Sequence, residues 1–505
     1  MAITAKKKSV LNLATSLLGQ VITIVLGIVI PRMFILSFGS DVNGFISSIN
    51  QIFVYVALLE AGVGTASQQA MYAPLGNNDR DSINSILAAT HHFYMRTGFL
   101  YLAAITGIAF LYPLFVESSL SYWVMVSIVM LTGVGGAFPY FLHAKYSLLL
   151  NGDGKSYVLN LINQGRTVLL SLLKIVLLSM GANVILVESL YLLVALLQSL
   201  TIILYIKKKY GWINLKAEPN FQAISQKNSV LVHQFSSLIF NNTDILILTF
   251  FCDLNQVSIY TLYKYLFGFA ITVINLLSSS VNFRLGQLFS KREHFLKLYD
   301  MYEVFHIALT FSLLTLVYLY ITPFLRLYTA GMDIEYIVPF LPLTFCVMEY
   351  LNSIRTPTNN VIVYAGKFKE TQWRSLTEAL INLTVSLVAV HFLGINGVVL
   401  GTVAALLYRS NDVILFANRR VLGRSAWHTY RTILVNVILS VATVLVYTWI
   451  DMEFTGYVTF VVSGFVSVLI CVPLYLAVSY LLYPSVGKSF VVYVGDILKK
   501  RRKKR

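Results

Sequence analysis

Three arginines raise the first chemical question in this sequence, because each stands deep inside an apolar run. Arg96, Arg166 and Arg355 lie about nine residues from the nearer end of such a run, about 13 Å deep at 1.5 Å per residue. A guanidinium facing lipid there costs about 2.5–3.5 kcal/mol even on the lenient insertion scale, so these side chains must face protein, a wet cavity or an anion. Their neighbours are polar. His92 precedes Arg96 by one turn, and Asn160, Asn163, Gln164, Thr167, Ser171 and Lys174 surround Arg166. Glu349, Asn352, Asn359 and Asn360 crowd Arg355 in "EYLNSIRTPTNN", and Lys264 stands in the tyrosine-rich "YTLYKYLF". Several cations on several helices are most simply explained by one shared anionic ligand. The competing reading for each is an ion pair with Glu60, Asp244 or Glu349 that only holds helices together. Two further cations, Lys145 and Arg409, sit near enough to the inner face for the ammonium or guanidinium to snorkel to water, and Lys174 near enough to the outer face to do the same.

A second constellation lies in "VHQFSSLIFNNTDILILTFF", residues 232–251. His233, Ser237, Asn241 and Asp244 recur at intervals of 4, 4 and 3. Asn12, Ser16, Gln20 and Thr23 show the same intervals 221 residues earlier, so each set forms one stripe on a helix. A polar stripe on a spanning helix faces protein or water, which leaves helix–helix hydrogen bonding and cavity lining as its two uses. The shared spacing points to an internal repeat of six helices, the organisation of transporters with a central site. Asp244, Glu60 and Glu349 are the carboxylates placed to take a coupling proton or sodium ion.

The elements that must position these residues follow from composition. Hydrophobic residues make up 57% of the 505 positions and charged residues 12%, and the mean hydropathy is +0.73. That balance defines an all-α polytopic membrane protein rather than a soluble one. Apolar runs of about 20 residues give fourteen expected spans. The first begins in "MAITAKKKSVLNLATSLLGQVITIVLGIVI", whose apolar run is too long for a signal peptide. With the N-terminus inside, twenty-nine of the thirty-eight Lys and Arg fall on inner segments and only Arg32 and Arg326 on outer ones, which places both ends in the cytoplasm. The formal charge of +16 therefore needs no nucleic-acid partner, and the tail "KKRRKKR" suits anionic lipid. Expected divisions are a six-helix bundle at 1–206, a linker at 207–228, a second bundle at 229–417, two appended helices at 418–484 and a basic tail at 485–505.

Catalytic signatures are missing. Cys252, Cys346 and Cys471 are odd in number and far apart, which suggests neither a disulfide framework nor a metal site. The segment "LLNGDGKS" ends like a phosphate-binding loop but carries Leu149 where glycine is required. No H-E-x-x-H, Cys/His cluster or nucleophile elbow is present, so no metal or organic cofactor is expected. "GVGGAFP" at 133–139 and Pro323, Pro339, Pro342 and Pro357 should interrupt helices.

Fourteen spans divided six, six and two, together with "LLNGDGKSYVLNLINQGR", "IKKKYGWINLKAEPNF" and "VHQFSSLIFNNTDILILTFFCDLNQVSIYTLYKYLF", resemble the Wzx-type polysaccharide repeat-unit flippases of the multidrug/oligosaccharidyl-lipid/polysaccharide (MOP) exporter superfamily. The resemblance implies two six-helix bundles around a V-shaped cavity and alternating access. The implied cargo is an undecaprenyl-pyrophosphate-linked oligosaccharide, carried across the bacterial cytoplasmic membrane. It implies a bidentate grip on pyrophosphate by Arg96, Arg166 and Arg355, aided by Lys264 and Lys174. His92, Asn163, Gln164, His233, Asn241, Asn352 and Asn359 would meet sugar hydroxyls. Proton or sodium coupling and other polysaccharide-assembly proteins as partners belong to the same picture. A lipid II flippase and a drug/cation antiporter share the superfamily, the latter wanting an acidic cavity. A membrane polymerase or ligase would want larger outer loops than this chain has.

Overall fold

In lipid a backbone group has no partner outside its own segment, so apolar runs of this length become helices. The structure, a computed structural model, describes residues 5–60, 63–224, 242–289, 292–450, 454, 456–484 and 486–488. Among them no strand occurs. The helices in order are α1 (Ala5–Phe38), α2 (Ser40–Val56), α3 (Val63–Asn77), α4 (Arg80–Leu111), α5 (Tyr122–Phe138), α6 (Ala144–Gly152), α7 (Ser156–Ser179) and α8 (Val184–Lys209). They continue with α9 (Asn242–Phe251), α10 (Leu254–Leu288), α11 (Arg292–Tyr328), α12 (Leu341–Ile354), α13 (Thr356–Tyr364), α14 (Phe368–Leu393), α15 (Ile395–Phe416), α16 (Trp427–Ile450) and α17 (Tyr457–Leu481). Among the described residues, eleven helices are long and apolar enough to cross a membrane. Two more expected spans border undescribed residues and show as the shorter apolar helices Ile22–Phe38 and Asn242–Phe251.

The expected span at 337–364 is divided, α12 and α13 meeting at Arg355. Pro357 is the cause: it has no N–H to offer the Ser353 carbonyl four residues back. That carbonyl instead takes a hydrogen bond from His306 Nε2 at 3.0 Å. "GVGGAFP" also interrupts its helix as expected. α5 ends at Phe138, a π-helical turn occupies Pro139–His143, and α6 follows. Pro323, by contrast, lies within an unbroken α11.

The helices form two compact units: Met1–Ser258 with Gly331–Ile334, and Ile259–Ala330 with Glu335–Arg505. In the first, Ser40 at the start of α2 donates to Asp333 from its backbone N–H (2.8 Å) and from Oγ (2.6 Å). A Cβ on Gly44 would lie 1.8 Å from the Leu254 carbonyl oxygen, so only glycine allows α2 this approach. In the second, α14 and α15 pack through Gly397 and Gly401, spaced four apart as small residues at close helix crossings are. α11 packs against α12, α16 and α17.

Candidate functional site: cations at membrane depth

The π turn builds the site in the first unit. A wider turn weakens the regular hydrogen-bond ladder and leaves carbonyls to be satisfied otherwise. Lys145, one turn on, points its Nζ at the carbonyls of Phe141 and Leu142, both at 3.3 Å, and lies over the Tyr146 ring at 4.9 Å. It is 3% exposed, which corrects the expectation that it snorkels: the side chain turns into protein rather than towards water. No carboxylate pairs with it among the described residues. Arg166 on α7 stacks its guanidinium over Tyr191 at 4.9 Å, and its Nε is buried with no hydrogen-bond partner. Between them His143 holds Ser199 Oγ at 2.9 Å, close enough to feel the charge of both Lys145 and Arg166. The unit thus keeps two cations within its helices without an acidic partner among the described residues.

The other expected residues of this unit divide by surroundings. Arg96 is exposed and makes no hydrogen bond or ion pair among the described residues, and His92 is exposed beside Phe221 at 6.2 Å. Asn163 accepts a hydrogen bond from Gln198 at 2.7 Å. Gln164 presses its amide against Gly19 of α1, where any Cβ would clash at 2.0 Å. Lys174 is ion-paired with Glu188 at 2.7 Å. Glu60, in a 3₁₀ turn after α2, accepts hydrogen bonds from Tyr94 OH (2.7 Å) and Tyr140, with no cation in ion-pair reach among the described residues. Asp244 on α9 is 4% exposed, and the adjacent Thr243 bonds Tyr55 OH at 3.0 Å. His233 and Asn241 lie outside the described residues, as do the side chains of Asn12 and Ser16.

The second unit treats its cations differently. Arg355 Nη1 meets Glu378 Oε1 at 2.5 Å, and Nη2 donates to Asn352 at 3.0 Å. Arg409 bridges Glu378 (3.4 Å) and Asp412 (2.7 Å) and donates to Ser375, and Arg374 also pairs with Asp412. At 6% exposure Arg409 is another correction to snorkelling, because two carboxylates hold it inside. Glu349 accepts a hydrogen bond from Asn352 and feels the charges of Lys264 and Arg355. Lys264 lies over the Tyr260 ring at 5.7 Å, while Asn359 is exposed. A further cluster went unnoticed in the sequence. Arg424, between α15 and α16, pairs with Asp300 and with Glu303 (2.7 Å), and Thr429 donates to Glu303 at 2.8 Å. Burial disfavours the Arg424 charge, but both carboxylates outweigh it and raise its pKa further above the usual range. Donor atoms of Asp300, Glu303 and His428 lie within 4.8 Å of one another, yet the guanidinium already neutralises them. The "GDGK" turn is likewise self-satisfied: Lys155 bonds Asp153 and Tyr210, each at 2.7 Å.

Set beside solved structures, the chain is similar to the lipid II flippase MurJ in an inward closed conformation (TM-score 0.70, 16% identity, 94% of this chain and 99% of that one). It is also similar to a multidrug resistance MATE family transporter of the MOP superfamily, inward-facing (0.65, 17%, 79% and 94%) and outward-facing (0.54, 15%, 83% and 96%). No family model and no curated protein matches the sequence. At these identities the likeness establishes the fold, a polytopic all-helical membrane fold shared by MATE and MurJ transporters.

Proposed function

We propose that this protein is a MOP-type flippase that moves an anionic lipid-linked headgroup, an undecaprenyl-pyrophosphate oligosaccharide repeat unit, from the inner to the outer leaflet by alternating access. The observation that carries the reading is a pair of cations without acidic partners among the described residues, the buried Lys145 and the half-buried Arg166, in a fold shared with a lipid II flippase. Desolvating such a charge costs several kcal/mol unless an anion compensates, and a pyrophosphate is a dense anion that a guanidinium grips with two parallel hydrogen bonds. Arg96, exposed and without an ion pair among the described residues, would meet the same headgroup. Glu60, held by two tyrosine hydroxyls, is the carboxyl best suited to exchange a proton during the cycle. The site in the bacterial cytoplasmic membrane, both termini in the cytoplasm, and the basic tail on anionic lipid complete the proposal.

Lipid II is the second reading, favoured by the near-complete coverage of MurJ. A drug/cation antiporter fits less well, because cations without an acidic partner among the described residues, such as Lys145 and Arg166, repel its cargo. The deciding experiment is headgroup translocation in liposomes holding only this protein, with a short undecaprenyl-pyrophosphate oligosaccharide, lipid II and a cationic dye compared. Movement of the oligosaccharide lipid supports the proposal. Movement of lipid II alone shifts it to the second reading, and dye transport without lipid movement overturns both.

A further inference from the structure

In the second unit, an unbroken line of hydrogen bonds runs through side chains that no charge-based reading selects. Tyr302 of α11 bonds Ser278 of α10. Ser278 Oγ lies 2.7 Å from His306 Nδ1, and His306 Nε2 lies 3.0 Å from the Ser353 carbonyl and 3.3 Å from Ser353 Oγ. Ser353 Oγ lies 2.9 Å from Thr310 Oγ1. In the other direction Tyr302 receives Asn360, which also donates to Asn282 at 2.8 Å, and Tyr364 donates to Asn282 at 3.0 Å. His306 and Thr310 are fully buried.

Past Thr310 the hydroxyls recur every five residues along α11. Thr315 meets Tyr350 (2.7 Å) and Ser440 (2.9 Å), and Tyr475 meets Thr443 (3.0 Å). Tyr320 meets Ser463 and Ser467, both at 2.8 Å. Each five-residue step rises about 7.5 Å, further than the roughly 5.6 Å that one bridging water spans, so the line continues past Thr310 only through at least two waters in series at each step. From Tyr302 to Tyr320 the rise is about 27 Å, close to the hydrocarbon thickness of about 30 Å.

Hydrogen bonds between spanning helices also serve as glue. Glue does not require the histidine. An amide side chain could bond both neighbours of His306 without a titratable nitrogen, and buried ionisable groups in spans mark proton relays. Charged groups on the packed elements are Glu303 on α11, held by Arg424, and Glu349 and Arg355 at α12; none forms an ion pair with His306 among the described residues. α10, α16 and α17 face the line with hydroxyls.

We propose that this line is a proton relay through the second unit, with His306 as its titrating centre. A proton passes from Ser278 Oγ–H to His306 Nδ1 while Nε2–H gives its proton to Ser353 Oγ, and Ser353 passes one on to Thr310. Each oxygen that loses a proton regains one from the group behind it. One H⁺ moves and no electrons do. The relay assumes nothing about the cargo, so it can fail or stand independently of the flippase reading.

The test is proton entry into pyranine-filled liposomes carrying the full chain, driven by a valinomycin-clamped potassium gradient, with and without added undecaprenyl-pyrophosphate oligosaccharide. Protein-dependent acidification should fall at least tenfold in His306→Asn and in Thr310→Val. It should persist in Ser312→Ala, a buried residue of the same helix that among the described residues bonds only the Leu309 carbonyl. Should His306→Asn fail to fold, Thr310→Val and Ser278→Ala carry the test. Equal flux in the wild type and the folded relay variants overturns the proposal, as does absence of wild-type flux under both conditions.

Discussion

The two units of this chain solve one problem, positive charge at membrane depth, in opposite ways. In the second unit Arg355, Arg374 and Arg409 share Glu378 and Asp412, and Arg424 holds Asp300 and Glu303. These cations tie together α12, α14 and α15, and fasten the segment before α16 to α11. In the first unit Lys145 and Arg166 meet carbonyls and aromatic rings but, among the described residues, no carboxylate. Lys174, paired with Glu188, shows that the same unit can pair a cation where the role is structural. Depth alone therefore does not mark a ligand site. The proposal above rests instead on a missing counter-charge.

The strongest way to break this contrast is Glu378→Ala. It strands Arg355 and Arg409, and removing one partner of a buried ion pair costs about 3–5 kcal/mol. Thermal unfolding in detergent should show a loss of that size, and a loss under about 1 kcal/mol would place Arg355 among the ligand-seeking cations. Lys145→Met should do the reverse, leaving stability unchanged or raising it by about 1–2 kcal/mol while lipid-headgroup translocation falls. A destabilised but active Lys145→Met protein would show that the lysine has a structural partner. Arg166→Lys keeps the charge but loses the planar fork stacked on Tyr191. It should weaken headgroup binding about tenfold, and unchanged binding would remove Arg166 from the site.

The smallest effect concerns Asp333. Burial works against its charge, but the two hydrogen bonds from Ser40 win and hold its pKa below the usual 3.8. A depressed carboxyl contributes stability that is present above the unfolded pKa and lost as pH falls through the folded one. Amide exchange in the first turn of α2 should therefore quicken only below about pH 4, and a flat profile there would count against the Ser40 contact.

How much of this was legible beforehand depended on whether the partner lay on the same helix. The helical spans and the break near Pro357 were readable, because each rests on local spacing. Partners were not. Glu378 and Asp412 belong to other helices than Arg355, and no periodicity links them. Lys145 was misread because linear distance from a helix end assumes a regular helix, and the π turn two residues earlier violates that. One signal was present and overlooked: Ser463, Ser467, Cys471, Tyr475 and Ser479 form a strict row along α17. Hydroxyls attract less notice than charges, although here they line a seam as long as the membrane is thick.

The π turn at Pro139–His143 also has a consequence for insertions and deletions. One added residue in a helix rotates everything beyond it by about 100°, so the phase of α6 depends on this extra residue. Removing a single residue from 139–143 would let α5 and α6 run on as one regular helix. Lys145 would then swing by about a quarter-turn, away from its carbonyls and from His143. The angular position of this cation is thus encoded by a count of residues, and a change of one in that count displaces it without altering any side chain.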